Sequence, residues 1–569
     1  MNREGLPLTQ HSALRTQHSL VPFVFFAFFV VPSSLCAADA GAPLADPLQI
    51  EGGLVSGQAV EKGDVRVYKG IPFAAPPVGP LRWKAPQPVT SWDTPPAPPL
   101  DKGGKGGVRA CTEFGNWCPQ PKPLMGRDLG PLSEDCLYLN VWTPAKKRDD
   151  KLPVMVWIHG GGYTTGSGAQ SFYSGESLAR EGVVVVTINY RLGPFGFLAH
   201  PLLSKESAKA VSGNYGLLDQ IAALQWVQKN IAAFGGNPEC VTIFGESAGS
   251  ASVCRLMVCP LAAGLFHRAI AESGGPYGQN RALREQRGRL ASGEQMGEEI
   301  AKALGCDTAP DVLAALRAKS ADEILQASNP AQGLFGKGNK FGPVVDGWVL
   351  PDDPGRLWDQ GKQAAVPFIT GTNADEGTVF LQQVQIKRVA GYRFSARLLY
   401  GEDADEVLKL FPAQNDDEVP GALNKLVTVM SFVSPARMLV RAMAQRQAPA
   451  YLYHFTRVPA TTRARKLGAC HAIEIPYVFK TLGKPKGFDA KDEALAQAMC
   501  SYWANFAKTG NPNGAGLSPW PAYAADKDEY LELGDEIKAK SALYKDACDL
   551  LEKVYRKRSG KAGADNPAP

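Results

Sequence analysis

Histidine is scarce in this chain. Seven occur among 569 residues, and they are dispersed. No cysteine pair of zinc-site spacing is answered by a second pair, so the sequence calls for no metal and no other cofactor. One-sided charge is missing too: a net charge of +5 over this length implies no nucleic-acid partner. Internal repeats are absent, which excludes a stacked-repeat architecture. No linker-like shift of composition divides residues 45–557, so one large elaborated domain is expected there. A membrane-spanning run is lacking at the N-terminus, where the apolar stretch 20–31 is too short. Arg3 and Arg15 precede it, and Ala37, Ala38 and Ala40 follow. This is the pattern of a cleaved export signal over residues 1–40. The mature chain is therefore expected to be secreted or periplasmic, with no stable membrane anchor. Residues 558–569 are rich in Gly, Ala and Pro and read as a disordered polar tail.

What is present alternates. Val183-Val184-Val185-Val186-Thr187-Ile188 is a continuous β-branched run, whereas Ile221, Leu224, Val227 and Ile231 recur at helical spacing. Such alternation predicts an α/β fold: a large, mostly parallel sheet with helices on both faces. In such a sheet the catalytic side chains sit on loops at the carboxyl ends of the strands.

One stretch has the form of a catalytic turn. Val241-Thr242-Ile243-Phe244-Gly245-Glu246-Ser247-Ala248-Gly249 reads as a strand that stops at a glycine, presents a serine and passes at once into a helix. The Gly-x-Ser-x-Gly pattern alone is weak, but its surroundings strengthen it. Pro153–Ile158 is a buried-strand run leading into His159-Gly160-Gly161-Gly162-Tyr163. Backbone N–H groups in a glycine triplet are unshielded and free to converge on a developing oxyanion. A phosphate-binding loop is the competing reading, but Tyr163-Thr164-Thr165 supplies no lysine.

A serine nucleophile needs a base. His11 and His18 fall in the export signal, and His159 belongs to the glycine loop. His454 lies in a strand-like run, as a hydrogen-bonded structural histidine, and His267 on a predicted helix. His200 has no distinguishing context. His471, on a loop after the run 450–455, stands where a triad histidine belongs in chain order, after serine and acid. For the acid, the turn after Val366–Ile369 offers the neighbours Asp375 and Glu376, and pattern alone does not choose between them.

These motifs resemble the type-B carboxylesterase/cholinesterase family of α/β-hydrolases. The serine stretch, Ser133–Val141, Asn189-Tyr190-Arg191, Asn214–Gln220 and Trp503–Pro512 carry the likeness, which runs from about Leu48 to Tyr555. The resemblance implies Ser247 as nucleophile, Glu376 as acid and His471 as base. It implies an oxyanion hole from the backbone N–H groups of Gly161, Gly162 and Ala248, with Glu246 supporting from beside the serine. It also implies a Cys118–Cys136 disulfide, a small-molecule carboxylic ester as substrate, and water as co-substrate. Some members of the family have lost catalysis and serve as recognition or adhesion domains. Those usually lack the serine or the histidine, and here all three triad positions are filled. In the cholinesterase branch a tryptophan between the two cysteines stacks on the choline cation. Here residues 119–135 contain no aromatic, and Lys122 and Arg127 add positive charge. Trp117 is the one nearby ring that offers a substitute.

Overall fold

Seven parallel strands run through the middle of the molecule, and their carboxyl ends form the floor of the candidate site. The computed structural model describes residues 44, 46–92, 107–123, 129–483 and 487–564. The expected export signal, the Pro/Gly-rich segment around 93–106, Arg127 and residues 565–569 lie outside the described residues.

The main sheet has eleven strands. In chain order they are β1 (Gln58–Ala59), β2 (Arg66–Pro72), β3 (Tyr138–Thr143), β4 (Leu152–Ile158), β5 (Val184–Ile188) and β6 (Gly236–Glu246). They continue as β7 (Arg268–Glu272), β8 (Phe368–Asn373), β9 (Ala450–Phe455), β10 (Glu529–Leu533) and β11 (Ile537–Ser541). Their spatial order is β11-β10-β9-β8-β7-β6-β4-β5-β3-β2-β1. From β5 through β10 every pairing is parallel. The margins β1–β2–β3 and β11 are antiparallel. The mostly parallel sheet is the one the alternation predicts, and it agrees with the α/β-hydrolase fold that the resemblance implies.

Composition explains which strand lies where. Every residue of β5 and all of Val154–Ile158 in β4 are buried, because helices cover both faces and leave no polar side. The outermost strand β11 is exposed from Lys538 onward. Its lysines blunt an edge that could otherwise pair with another chain. On one face Trp157 packs edge-on against Phe244 and Phe479, 4.8 and 5.0 Å between ring centres. The 20-residue helix Ala490–Thr509 closes over that cluster. On the other face lies the helix Tyr215–Asn230, whose Ile221, Leu224 and Val227 are buried; Ile231 follows in a short 3₁₀ turn. Two of the familial stretches meet here. Arg191 binds Asp219 bidentately, Nε to Oδ2 at 2.8 Å and Nη2 to Oδ1 at 2.7 Å, with both side chains buried. That pair locks the loop after β5 to the helix beneath it.

One expectation is corrected. His267 is not on a helix: Gly264, at φ +77°, ends a 3₁₀ turn. The His267 N–H then bonds the Val241 carbonyl, leading the chain straight into β7. The helix Lys545–Ala564 runs on past residue 558, where composition places the start of the polar tail. Extending a formed helix adds a hydrogen bond per residue fixed, and Ala, Lys and Arg favour it.

Candidate active site

The serine stretch forms the expected turn. Ser247 sits between β6 and the helix Ala248–Leu256 with φ +57° and ψ −118°, a conformation L-residues rarely adopt. It is held there by its N–H on the Glu272 carbonyl at 2.9 Å. The glycines of the motif are sterically required: a Cβ on Gly249 would lie 1.9 Å from the Ile158 carbonyl oxygen, and one on Gly245 2.4 Å from the same atom. Strand β4 and the serine turn thus touch backbone to backbone. Among the buried residues around it, Ser247 alone in 241–250 is partly exposed.

The glycine loop follows β4 directly. Gly161 at φ +106° and Gly162 at φ +63° are both exposed, and the Gly161 carbonyl accepts from the N–H groups of Thr164 and Thr165. The Gly161, Gly162 and Ala248 N–H groups donate to no protein acceptor among the described residues. For Ala248, the first helical residue, this is the ordinary state of a helix N-terminus. His159 is structural. Its ring stacks on Tyr190 at 4.4 Å, its Nδ1 lies 2.8 Å from the Gly160 carbonyl, and burial pulls its pKa down to about 4. His454 is structural as expected, with Nδ1 3.2 Å from Thr372 Oγ1 inside β9. His200 caps the short helix Pro201–Glu206 through Leu202 N–H.

The two neighbouring acids left open in the sequence point in different directions. Glu376 Oε2 lies 2.6 Å from His471 Nδ1, and Glu376 is fully buried. Its other oxygen accepts from Ser273 Oγ at 2.5 Å and Asn373 N–H at 2.7 Å. Asp375 points the other way. It accepts from Ala469 N–H at 2.9 Å and from Asn424 Nδ2 at 2.8 Å, so it fastens the loop that carries His471.

His471 Nε2 has no hydrogen-bond partner among the described residues. The atom nearest it in charge terms is Glu246 Oε1 at 3.1 Å, out of line for a hydrogen bond. The structure therefore closes the contact between Glu376 and His471 and leaves the one between His471 and Ser247 Oγ open. Hydrogen bonds of this kind commonly tighten only when substrate is bound. Burial lowers the His471 pKa, but Glu246 and then Glu376 outweigh it and raise the value to about 9. Burial likewise raises Glu246 to about 8, against the attraction of His471.

Sequence reasoning missed several neighbours. Glu474 is buried one turn past His471 and receives Asn373 Nδ2, and its pKa is raised to about 7 by burial and then by Glu376. Ser273 bridges Glu376 and Glu474 from the end of β7, at 2.5 and 3.4 Å. The signal for both was an acidic or hydroxyl residue just past an apolar strand or beside the candidate histidine. Phe380 and Phe432 flank the His471 ring at 4.9 and 5.0 Å between centres. Phe432 reaches it from a π-helical turn, Val429–Val433, whose irregular register no periodicity analysis would reveal. Trp117, the candidate substitute ring, is packed under Gly130 and 5% exposed.

A family model described as the carboxylesterase family matches residues 45–551.

The chain belongs to the carboxylesterase family.

It is accordingly a carboxylic ester hydrolase. Among its relatives are fumonisin B1 esterase of Sphingopyxis macrogoltabida, 39% identical over 84% of each chain, and para-nitrobenzyl esterase of Bacillus subtilis, 36% identical over 83% of this chain and 92% of that one. Mouse cholinesterase is 35% identical over 85% of this chain and 81% of its own.

Proposed function

We propose that this carboxylesterase works through a covalent acyl-enzyme on Ser247, with His471 as base and Glu376 as the acid that orients it. The observation that carries the reading is the 2.6 Å contact between buried Glu376 and His471 Nδ1, opposite an Nε2 that has no hydrogen-bond partner among the described residues. Ser247 Oγ attacks the ester carbonyl as Nε2 takes its proton. Negative charge on the carbonyl oxygen falls to the free N–H groups of Gly161, Gly162 and Ala248. Nε2 returns the proton to the departing alcohol, and a water attacks the acyl-enzyme with the same ring again as base. Glu376 fixes the tautomer and compensates the imidazolium throughout. Rates across aryl esters of increasing acyl length, with Ser247→Ala as blank, test the reading. Equal rates in the blank would remove it.

The proton balance has a measurable signature. A protonated His471 cannot accept the serine proton, so activity falls as pH drops through its pKa. That pKa is raised above 6.5, so the acid limb lies above pH 6.5. Glu246→Gln removes the first partner that raises it, and the limb should then move to lower pH, by about one unit. A limb unmoved by Glu246→Gln would contradict this account of the pair.

The substrate is an uncharged ester, short- to medium-chain or aryl, rather than a choline ester. No aromatic lies in residues 119–135, Trp117 is enclosed by its own loop, and Lys122 adds like charge. A neutral isostere should exceed the matching choline ester in kcat/KM by on the order of tenfold, the size of one lost cation–π contact. A preference for the choline ester would overturn this.

Export and the Cys118–Cys136 bridge belong to the same proposal. Both cysteines are buried as free thiols, and Cys118 lies close enough to help burial raise the Cys136 thiol well above its ordinary pKa. Oxidation of the pair would close a loop of 17 intervening residues and stabilise by about 3 kcal/mol in the chain-entropy estimate. Peptide mapping without reductant, on protein from the exported fraction, should recover the two cysteines in one linked species. Two free thiols there would contradict it.

A further inference from the structure

A cavity of about 640 Å³ opens between the short helix Pro201–Glu206, the helix Gly293–Ala303 and the start of the helix Val312–Ala318. It has the size of a small-molecule site and shares no lining residue with the catalytic site. Its floor is closely built. Gly297 brings the longer helix onto the chain at Ala199, where a Cβ would lie 1.8 Å from the Ala199 carbonyl oxygen. The next residue, Glu298, thereby comes beside His200. His200 is 5% exposed, and its Nδ1 accepts the Leu202 N–H at 3.1 Å. The neutral ring therefore carries its proton on Nε2. Burial lowers the His200 pKa against the pull of Glu298 and Glu294, so the ring stays neutral near pH 7. Nothing among the described residues accepts from that Nε2, and the ring lines the cavity. Gln295 is a second donor, because its Oε1 is taken by the Ser292 N–H at 2.8 Å and its amide N–H groups are left over.

Charge makes a different demand. Glu298, Glu299 and Asp307 share the lining with one lysine, Lys302. Their neighbour Glu294 is engaged by Arg284 at 3.6 Å and Ser204 at 2.6 Å, whereas these three make no ion pair among the described residues. We propose that the cavity binds a protonated amine bearing hydroxyl groups, of the size of an amino sugar. Its ammonium lies among the three acids, and a hydroxyl oxygen accepts from His200 Nε2–H. The excess of acids repels an anion. A metal ion is not served, since no three His, Cys, Asp or Glu side chains among the described residues could hold one. A protonated polyamine has only donors to offer and leaves His200 and Gln295 without an acceptor. A neutral sugar leaves the acids unanswered.

Calorimetric titration of the mature protein at pH 7 tests the proposal, with glucosamine as probe and glucose and putrescine as controls. Glucosamine should bind one per chain, and either control at least roughly tenfold more weakly, each lacking one charge-assisted or donor contact. The double variant Glu298→Gln, Glu299→Gln changes two exposed side chains, so its unfolding midpoint and ester turnover should match the parent while glucosamine binds at least roughly tenfold more weakly. His200→Asn keeps an acceptor for the Leu202 N–H but removes the Nε2 donor, and it should lose the preference for glucosamine over putrescine. Equal affinity of parent and Glu298→Gln, Glu299→Gln protein for glucosamine would overturn the proposal. So would putrescine binding the parent as tightly as glucosamine, or no binding of glucosamine at millimolar concentration.

Discussion

Ser247→Ala loses about three orders of magnitude or more in kcat while the protein keeps its fold. The chemical loss follows from the nucleophile itself, since no other hydroxyl sits on the strained turn between the glycine loop and His471. Structure is spared because alanine meets the same φ of +57° as serine, and the other residues of the turn are unchanged. Stability should stay within about 0.5 kcal/mol of the parent, as for a substitution that removes no packing. Thermal unfolding and ester turnover on the same preparation check both halves. His471→Ala is expected to be as inactive but less stable, because it strips buried Glu376 of the ring it contacts.

The second large effect separates the neighbouring acids. Glu376→Gln should reduce kcat by about three to four orders of magnitude, because an amide cannot compensate the imidazolium and can favour the wrong tautomer. Asp375→Asn should leave most of the turnover. Its oxygens bind Ala469 N–H and Asn424 rather than the imidazole, so the change loosens the loop before His471 and appears chiefly as lost stability. The measurement is kcat, KM and the unfolding midpoint for both variants. An inactive Asp375→Asn beside an active Glu376→Gln would reverse the assignment.

Much of this was legible because strand burial leaves a one-dimensional trace. The runs at 153–158, 183–188 and 241–244 are apolar without alternation, as strands covered on both faces must be. The glycines around Ser247 are legible for a related reason: the backbone of β4 occupies the space their side chains would need. Asp375 and Glu376 were not separable, since consecutive carboxylates in a turn differ only in where they point. His267 was misplaced because a short apolar stretch fits a helix or a strand entrance equally, and the pairing with Val241 that decides it is 26 residues away. Phe432 left no trace, as the π-turn that aims it breaks the helical period. Glu246 was identified beside the serine, but its grip on His471 depends on burial that only the folded chain creates.

The central claim is that the acyl group passes through Ser247. Intact-mass analysis after treatment with an aryl phosphonate, followed by peptide mapping, tests it most directly. The phosphonate is trapped where an ester carbonyl would be attacked, so the account predicts one adduct per chain, on the peptide containing Ser247, with activity lost in step. A Ser247→Ala protein that takes up the same adduct, or a parent fully modified elsewhere with Ser247 untouched, would contradict it.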